Sequence, residues 1–294
     1  MPKSLLSKIF FVFALLSGPA FSDDGFTGGF KIYEESLQAK PYAWTKVKAP
    51  NPVRAGQVSQ RFELRDGDCE PDPVMCQIGR IHFELKSNLK LKIGDEKWVA
   101  ISVFLPKDFD ADKLDVFLFQ LHHNGGKSVI NDAGGAQHKL FSIGCFKNEL
   151  IVDYRELSGT EEDKKYRDSK ISSCESMKNK WTDLLIHINL EKENGFLEIY
   201  SNSKKIFDVR KGQKYQYTTV DDVVFNGIKK TNFINKDVDF FDITYGVYIT
   251  NAQKYRDKTG NPVPKTVAYI DEVRIGAERS EVDLRSQPPI EAVD

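Results

Sequence analysis

No apolar run beyond the first sixteen residues approaches the 20 or so that cross a bilayer, so no membrane span is expected after the N-terminus. An excess of charge is also missing: 42 Lys and Arg stand against 43 Asp and Glu, for a net charge of -1. Nucleic acid demands a basic patch that displaces counterions from phosphates, so no nucleic-acid partner is expected. The same balance leans away from a densely sulfated glycan. Cysteine is scarce, at 4 in 294 residues, and no two cysteines have the close spacing of a zinc knuckle. There is no internal repeat, low-complexity tract or clear linker, and all-β domains of about 200–250 residues commonly stay single.

What is present begins with an N-terminal leader. Lys3 and Lys8 precede the uncharged apolar run Ile9 to Leu16, and Ala20-Phe21-Ser22 offers small residues two apart. This is the pattern of a secretory signal over residues 1–22, cut before Asp23, with a membrane anchor as the rival reading. Residues 23–294 would then form one domain, secreted or periplasmic. In an exported chain, Cys69, Cys76, Cys145 and Cys174 suit two disulfides, and Cys69–Cys76 with Cys145–Cys174 is the favoured pairing of three. A monomer is expected.

The dominant pattern is alternation at period two. Gln57 to Arg65 reads QVSQRFELR and Arg80 to Lys86 reads RIHFELK. Further strands are expected over 98–105, 116–123, 150–154, 181–190, 196–200, 205–209, 239–250 and 267–275, with turns such as Asp66-Gly67 and Asn194-Gly195 between them. Ten or so strands predict an all-β sandwich of two antiparallel sheets, and the length favours a jelly roll with one concave face open to a ligand. The charged stretch 157–178 could hold a short helix or a mobile loop, and 278–294 reads as a polar tail.

Residues two apart on a strand share a face, so chemistry is sought at that spacing. Gln120 and His122 share one face of their strand, while Phe119 and Leu121 share the other. An amide and an imidazole on a core face would each need a buried partner, so these two belong on the open face. Gly246 and Tyr248 form a second pair, in which the missing side chain could let a ligand lie against the phenol; aromatic packing with a strand bulge is the alternative. Arg61, Glu63 and Arg65 make one charged row and Arg80, His82 and Glu84 another. Such rows are commonly solvated faces, but together they could hold carboxylates. Asp271-Glu272, or the Asp66-Gly67-Asp68 loop, could carry a structural calcium ion, although both also suit a strand end and a turn. No other cofactor or metal is expected.

The order of these features resembles a jelly-roll polysaccharide lyase family related to heparin lyase I and glucuronan lyase, and to alginate lyases. The resemblance rests on RFELRDGDC at Arg61 to Cys69 and on R-x-x-x-E-L at Arg80 to Leu85. It continues through Trp98, the Leu-Pro-Lys-Asp-Phe turn at Leu105 to Phe109, Gln120-x-His122 and Trp181-Thr182-Asp183-Leu184. The hairpin from Gly195 to Asn202, Gly246-x-Tyr248 and the strand Tyr269 to Gly276 complete it. It implies cleavage of a uronate-containing acidic polysaccharide by β-elimination. Gln120 would neutralise the substrate carboxylate, His122 would act as base or assist that neutralisation, and Tyr248 would serve as acid and also as base. Arg61, Arg65, Arg80, His82 and Glu84 would contact substrate. His82 stands where the family tends to carry Arg, and Thr244 where a Lys often precedes Gly-x-Tyr. The alternative is a non-catalytic carbohydrate-binding jelly roll. A glycoside hydrolase ranks lower, because the Glu-x-Asp-x-x-Glu strand of jelly-roll hydrolases is absent.

Overall fold

The computed structural model describes residues 26, 29–32, 40–68, 79–92, 94–124, 138–155, 166–191, 195–210, 215–218, 224–227 and 240–286. The strands are β1 (Phe30–Ile32), β2 (Trp44–Val47), β3 (Ser59–Leu64), β4 (Ile81–Leu91), β5 (Glu96–Phe104), β6 (Asp115–Asn124), β7 (His138–Phe146) and β8 (Glu149–Arg155). They continue as β9 (Tyr166–Ser173), β10 (Trp181–Asn189), β11 (Phe196–Ser201), β12 (Lys204–Arg210), β13 (Tyr215–Thr218), β14 (Val224–Gly227), β15 (Phe240–Ile249) and β16 (Thr266–Gly276). A helix, α1 (Ala252–Thr259), follows β15.

Two seven-stranded antiparallel sheets form a jelly-roll sandwich. The front sheet runs β1-β4-β15-β6-β7-β8-β9 and the back sheet β12-β11-β10-β5-β16-β3-β2. Alternation decides which side chains meet between them. Ile81, Phe83 and Leu85 of β4 face Phe62 and Leu64 of β3 across a single core. Ile243, Tyr245 and Val247 of β15 join them. One polar bridge spans that core: Gln60 Nε2 of β3 donates to the Tyr245 phenol of β15 at 2.9 Å, and Trp44 Nε1 donates to Gln60 Oε1 at 2.8 Å. Both ends of the buried amide are thereby satisfied, as burial requires.

The expected strands all form, within a few residues at each end. Two expectations change, and several elements are additional, β1, β2, β7, β13 and β14 among them. The charged stretch contains a strand, β9, followed by a 3-10 turn at Glu175–Met177, because its backbone pairs with β8. The polar tail docks as far as residue 286, since Val282 is buried against Ala100 and Leu185 of the back sheet. Helix α1 was not foreseen: its sequence AQKYRDKT buries only Ala252 and so shows no apolar period. Cys145 of β7 is bonded to Cys174, which ties the end of β9 to the front sheet. Cys69, Cys76 and residues 1–22 lie outside the described residues. Among the described residues no helix is long and apolar enough to cross a membrane.

Candidate functional site

The polar side of the front sheet is built by β4, β15 and β6 lying side by side. Since Phe241, Ile243, Tyr245 and Val247 fill the core, Asp242, Thr244, Gly246 and Tyr248 must face the other way. The ladder sets Tyr248 opposite His82, Gly246 opposite Glu84 and Thr244 opposite Lys86 on one side. On the other side it sets Thr244 opposite Gln120 and Asp242 opposite His122. Gln120, His122, Tyr248, His82 and Glu84 therefore share one face, although up to 166 positions separate them in sequence.

Glu84 lies at the centre of that face, only 4 % exposed. Gln120 Nε2 donates to its Oε1 at 2.5 Å, and His82 Nδ1 approaches its Oε2 at 3.5 Å, an ion-pair distance rather than a good hydrogen bond. Burial alone would raise the Glu84 pKa. The contact with His82, the charge of His122 and the Gln120 amide outweigh it, so the carboxyl stays below its ordinary range.

Tyr248 is held from two sides. Its ring lies 5.0 Å from the His82 imidazole and 6.0 Å from Phe117. Its oxygen accepts a hydrogen bond from Arg80 Nη1 at 3.1 Å. The residue before Arg80, Gly79, lies flush against α1: a Cβ there would meet that of Gln253 at 2.1 Å, and φ is +69°.

Of the two tasks open to Gly246, room for a ligand or a strand bulge, the structure supports the bulge. A Cβ on it would come within 2.2 Å of the Phe83 carbonyl oxygen, and φ is +151°. Its bareness serves the approach of β4 at an irregularity in the β15–β6 ladder, so the bulge reading holds and no opening for a ligand is created there.

Arg61 and Arg65 are not brought to this face. Their strand, β3, belongs to the back sheet, and with Phe62 and Leu64 in the core the pair must project from the opposite side of the sandwich. Both arginines bind Glu63, Arg65 Nε at 2.5 Å. Burial opposes ionisation of Glu63, but the two guanidiniums hold its carboxyl below the ordinary range. The two charged rows thus belong to opposite sheets, β3 to the back and β4 to the front.

The acidic residues considered for calcium are engaged by protein donors. Asp271 accepts the Arg54 and Glu272 backbone N–H groups at 2.8 Å each, and Glu272 accepts Arg274 Nε at 2.7 Å. Burial, then the neighbouring Glu272 charge, pushes Asp271 up to about 7. In the loop, Asp66 takes Arg256 Nη1 at 2.7 Å, and Asp68 takes the Tyr42 hydroxyl at 2.7 Å. Among the described residues no group of three or more His, Cys, Asp or Glu is placed to hold a metal ion.

Sequence reasoning stopped short along two strands. Lys86 continues the His82-Glu84 row, and Asp242 continues the Thr244-Gly246-Tyr248 row. Lys86 Nζ pairs with Asp242 Oδ2 at 2.8 Å, and Lys90 also pairs with that carboxylate. Extending the period-two search by one residue from Glu84 or from Thr244 would have found the pair.

The arrangement offers an amide, two imidazoles, a guanidinium and a phenol on one sheet face, which suits neutralising an anion while moving a proton. The sequence matches the family described as polysaccharide lyase over residues 27–274. An endo-β-1,4-glucuronan lyase from the fungus Trichoderma reesei has a similar structure, with a TM-score of 0.58 at 15% identity, covering 88% of this chain and 95% of that one. The exolytic PL7 alginate lyase AlyA5 from Zobellia galactanivorans aligns with a TM-score of 0.47 at 11% identity, covering 85% of this chain and 95% of its own. At these identities the likeness speaks for the fold alone, and the first of the two carries it. No curated protein matches the sequence.

Proposed function

The chain belongs to the polysaccharide lyase family, and from that premise we propose that it cuts a uronate-containing acidic polysaccharide by β-elimination on the polar face of the front sheet. The observation that carries this reading is the Tyr248 phenol, hydrogen-bonded by Arg80, on the same face as Gln120 and His122.

The C5 proton of a uronate is hard to remove while the adjacent carboxylate is charged. Donors to that carboxylate accept part of the charge that develops as the proton leaves, the logic of an oxyanion hole. Gln120 has a second amide N–H beyond the one given to Glu84, and His122 lies two residues further along the strand. These two neutralise the carboxylate. Arg80 donates to the phenol oxygen, which favours the phenolate. Tyr248 takes the C5 proton, the C5–H electron pair becomes the C4–C5 double bond, and the C4–O bond breaks. The phenol then returns the proton to the leaving oxygen. Each proton transfer contributes about 10²–10⁴-fold.

Export through a leader over residues 1–22 would put the enzyme where such polymers are met, and the Cys145–Cys174 disulfide suits an oxidising compartment. The test is to mix the protein with alginate, polyglucuronate or heparin and follow absorbance from the new double bond. A rising signal supports the lyase. Binding without signal supports a carbohydrate-binding protein, and new reducing ends without the double bond would point to hydrolysis.

A further inference from the structure

The pairing of two lysines with Asp242 is not used by the elimination step, and the local structure that creates it is unusual. Lys86 and Lys90 are four residues apart on β4, a separation of about 13 Å in regular strand geometry. Yet both ammonium groups reach one carboxylate. They meet because the β4–β15 ladder is irregular: Thr244 faces Lys86 and Asp242 faces Lys90, so two steps on β15 match four on β4. The extra residues leave the ladder, with the Ser87 hydroxyl accepting the Leu89 backbone N–H at 2.9 Å and Asn88 bonded to Gly29. Bulges of this kind re-aim side chains beside active sites.

Three features beside the bulge point to a ligand. Asp242 is fully buried and gathers the ammonium groups of two lysines, Lys86 and Lys90. A third lysine, Lys31 of β1, lies opposite Lys86 in the ladder. The Thr244 hydroxyl, next to Lys86 in the ladder, is 1 % exposed and has no hydrogen-bond partner among the described residues. A buried hydroxyl without a partner costs about 1–3 kcal/mol, so its retention calls for a group that binds it. Finally, Leu89 is the large apolar side chain left exposed among the described residues, at 37 %, and Lys90 lies over the Phe240 ring at 4.4 Å. A cation beside apolar surface matches a uronate ring, which has a carboxylate on one edge and C–H groups on its faces.

We propose that the β4 bulge builds a second carboxylate subsite, in which Lys90, anchored with Lys86 on Asp242, binds the uronate next to the one being cleaved. This rests on the elimination reading above, because that reading lays the polymer across this face. Asp242 holds the two ammonium groups in place, and its ladder partner His122 links the subsite to the reacting sugar.

The test compares steady-state kinetics on uronate oligosaccharides of increasing length, at low and high ionic strength. In wild type, KM falls when the substrate gains the sugar that reaches Lys90, and high salt weakens that gain. In Lys90→Gln the gain is lost: KM for the longer substrates rises about tenfold, as for a lost charge-assisted contact, and kcat falls far less. Asp242 keeps Lys86 as partner, so the variant should fold. Lys90→Arg restores most of the affinity. If Lys90→Gln keeps KM within about twofold of wild type at every length, or if kcat alone falls, the subsite is wrong. If wild type forms no double bond on any uronate polymer, the elimination reading has failed instead. Binding of the same oligosaccharides, measured calorimetrically with and without Lys90→Gln, then decides the subsite independently: equal affinities would overturn it.

Discussion

Glu84 gives the sharpest physical prediction. It is a carboxylate held ionised in the middle of a face proposed to bind a polyanion, so its charge must serve the protein itself. Glu84→Gln preserves the shape and an acceptor for Gln120 Nε2 but removes the charge that faces His82 and His122. A hydrogen bond to a charged group contributes about 1.5–3 kcal/mol, against about 0.5–1.5 for a neutral one, so the substitution should cost about 1–2 kcal/mol at pH 7. The sign with pH follows from the lowered pKa. Such a group stabilises the fold fully above its unfolded value, near 4.5, and the contribution fades as pH falls through the lower folded value. Urea unfolding of wild type and variant at pH 7 and at about pH 3.5 measures both ends. The gap should be present at pH 7 and narrower in acid. Equal stabilities at pH 7, or a gap that widens as pH falls, would refute the assignment of Glu84 as an ionised anchor.

Two other outcomes are expected. Gly246→Ala puts a Cβ 2.2 Å from the Phe83 carbonyl oxygen at a positive φ, so it should lower the melting temperature by several degrees and reduce kcat by displacing Tyr248; a variant with wild-type melting would show that β4 can yield. Asp271, pushed up to about 7 from 3.8, binds a proton in the fold that the unfolded chain releases. Its contribution therefore falls as pH rises from about 4 to about 7, by at most about 1.4 kcal/mol per pH unit. Asp271→Asn should flatten that part of the stability profile measured by urea unfolding, and an unchanged slope would place the titration elsewhere.

Most of the strand framework was legible because alternation at period two is a local signal, and a face with one apolar side fixes it strongly. QLH at Gln120 to His122 and YGVY at Tyr245 to Tyr248 pointed to their faces for that reason. Which sheet a strand joins is not local. RFELR and RIHFELK look alike as strings, yet β3 and β4 lie in opposite sheets, and this separates Arg61 and Arg65 from Gln120, His122 and Tyr248. Bulges were equally hidden. Nothing in KSNLK announces that Lys86 and Lys90 meet, because the cause lies in how β15 pairs with that stretch. At Gly246 the sequence reveals a missing side chain and not the Phe83 carbonyl that fills the space, so ligand room and a strand bulge look alike there.

The proposed elimination requires the Tyr248 phenol to act on the sugar. The direct measurement is the rate of double-bond formation by Tyr248→Phe on saturating uronate polymer, with binding of that polymer measured alongside. The expected result is retained binding with a rate at least about 10²–10⁴-fold below wild type. A rate comparable to wild type would contradict the proposed chemistry and move the proton transfer to another group.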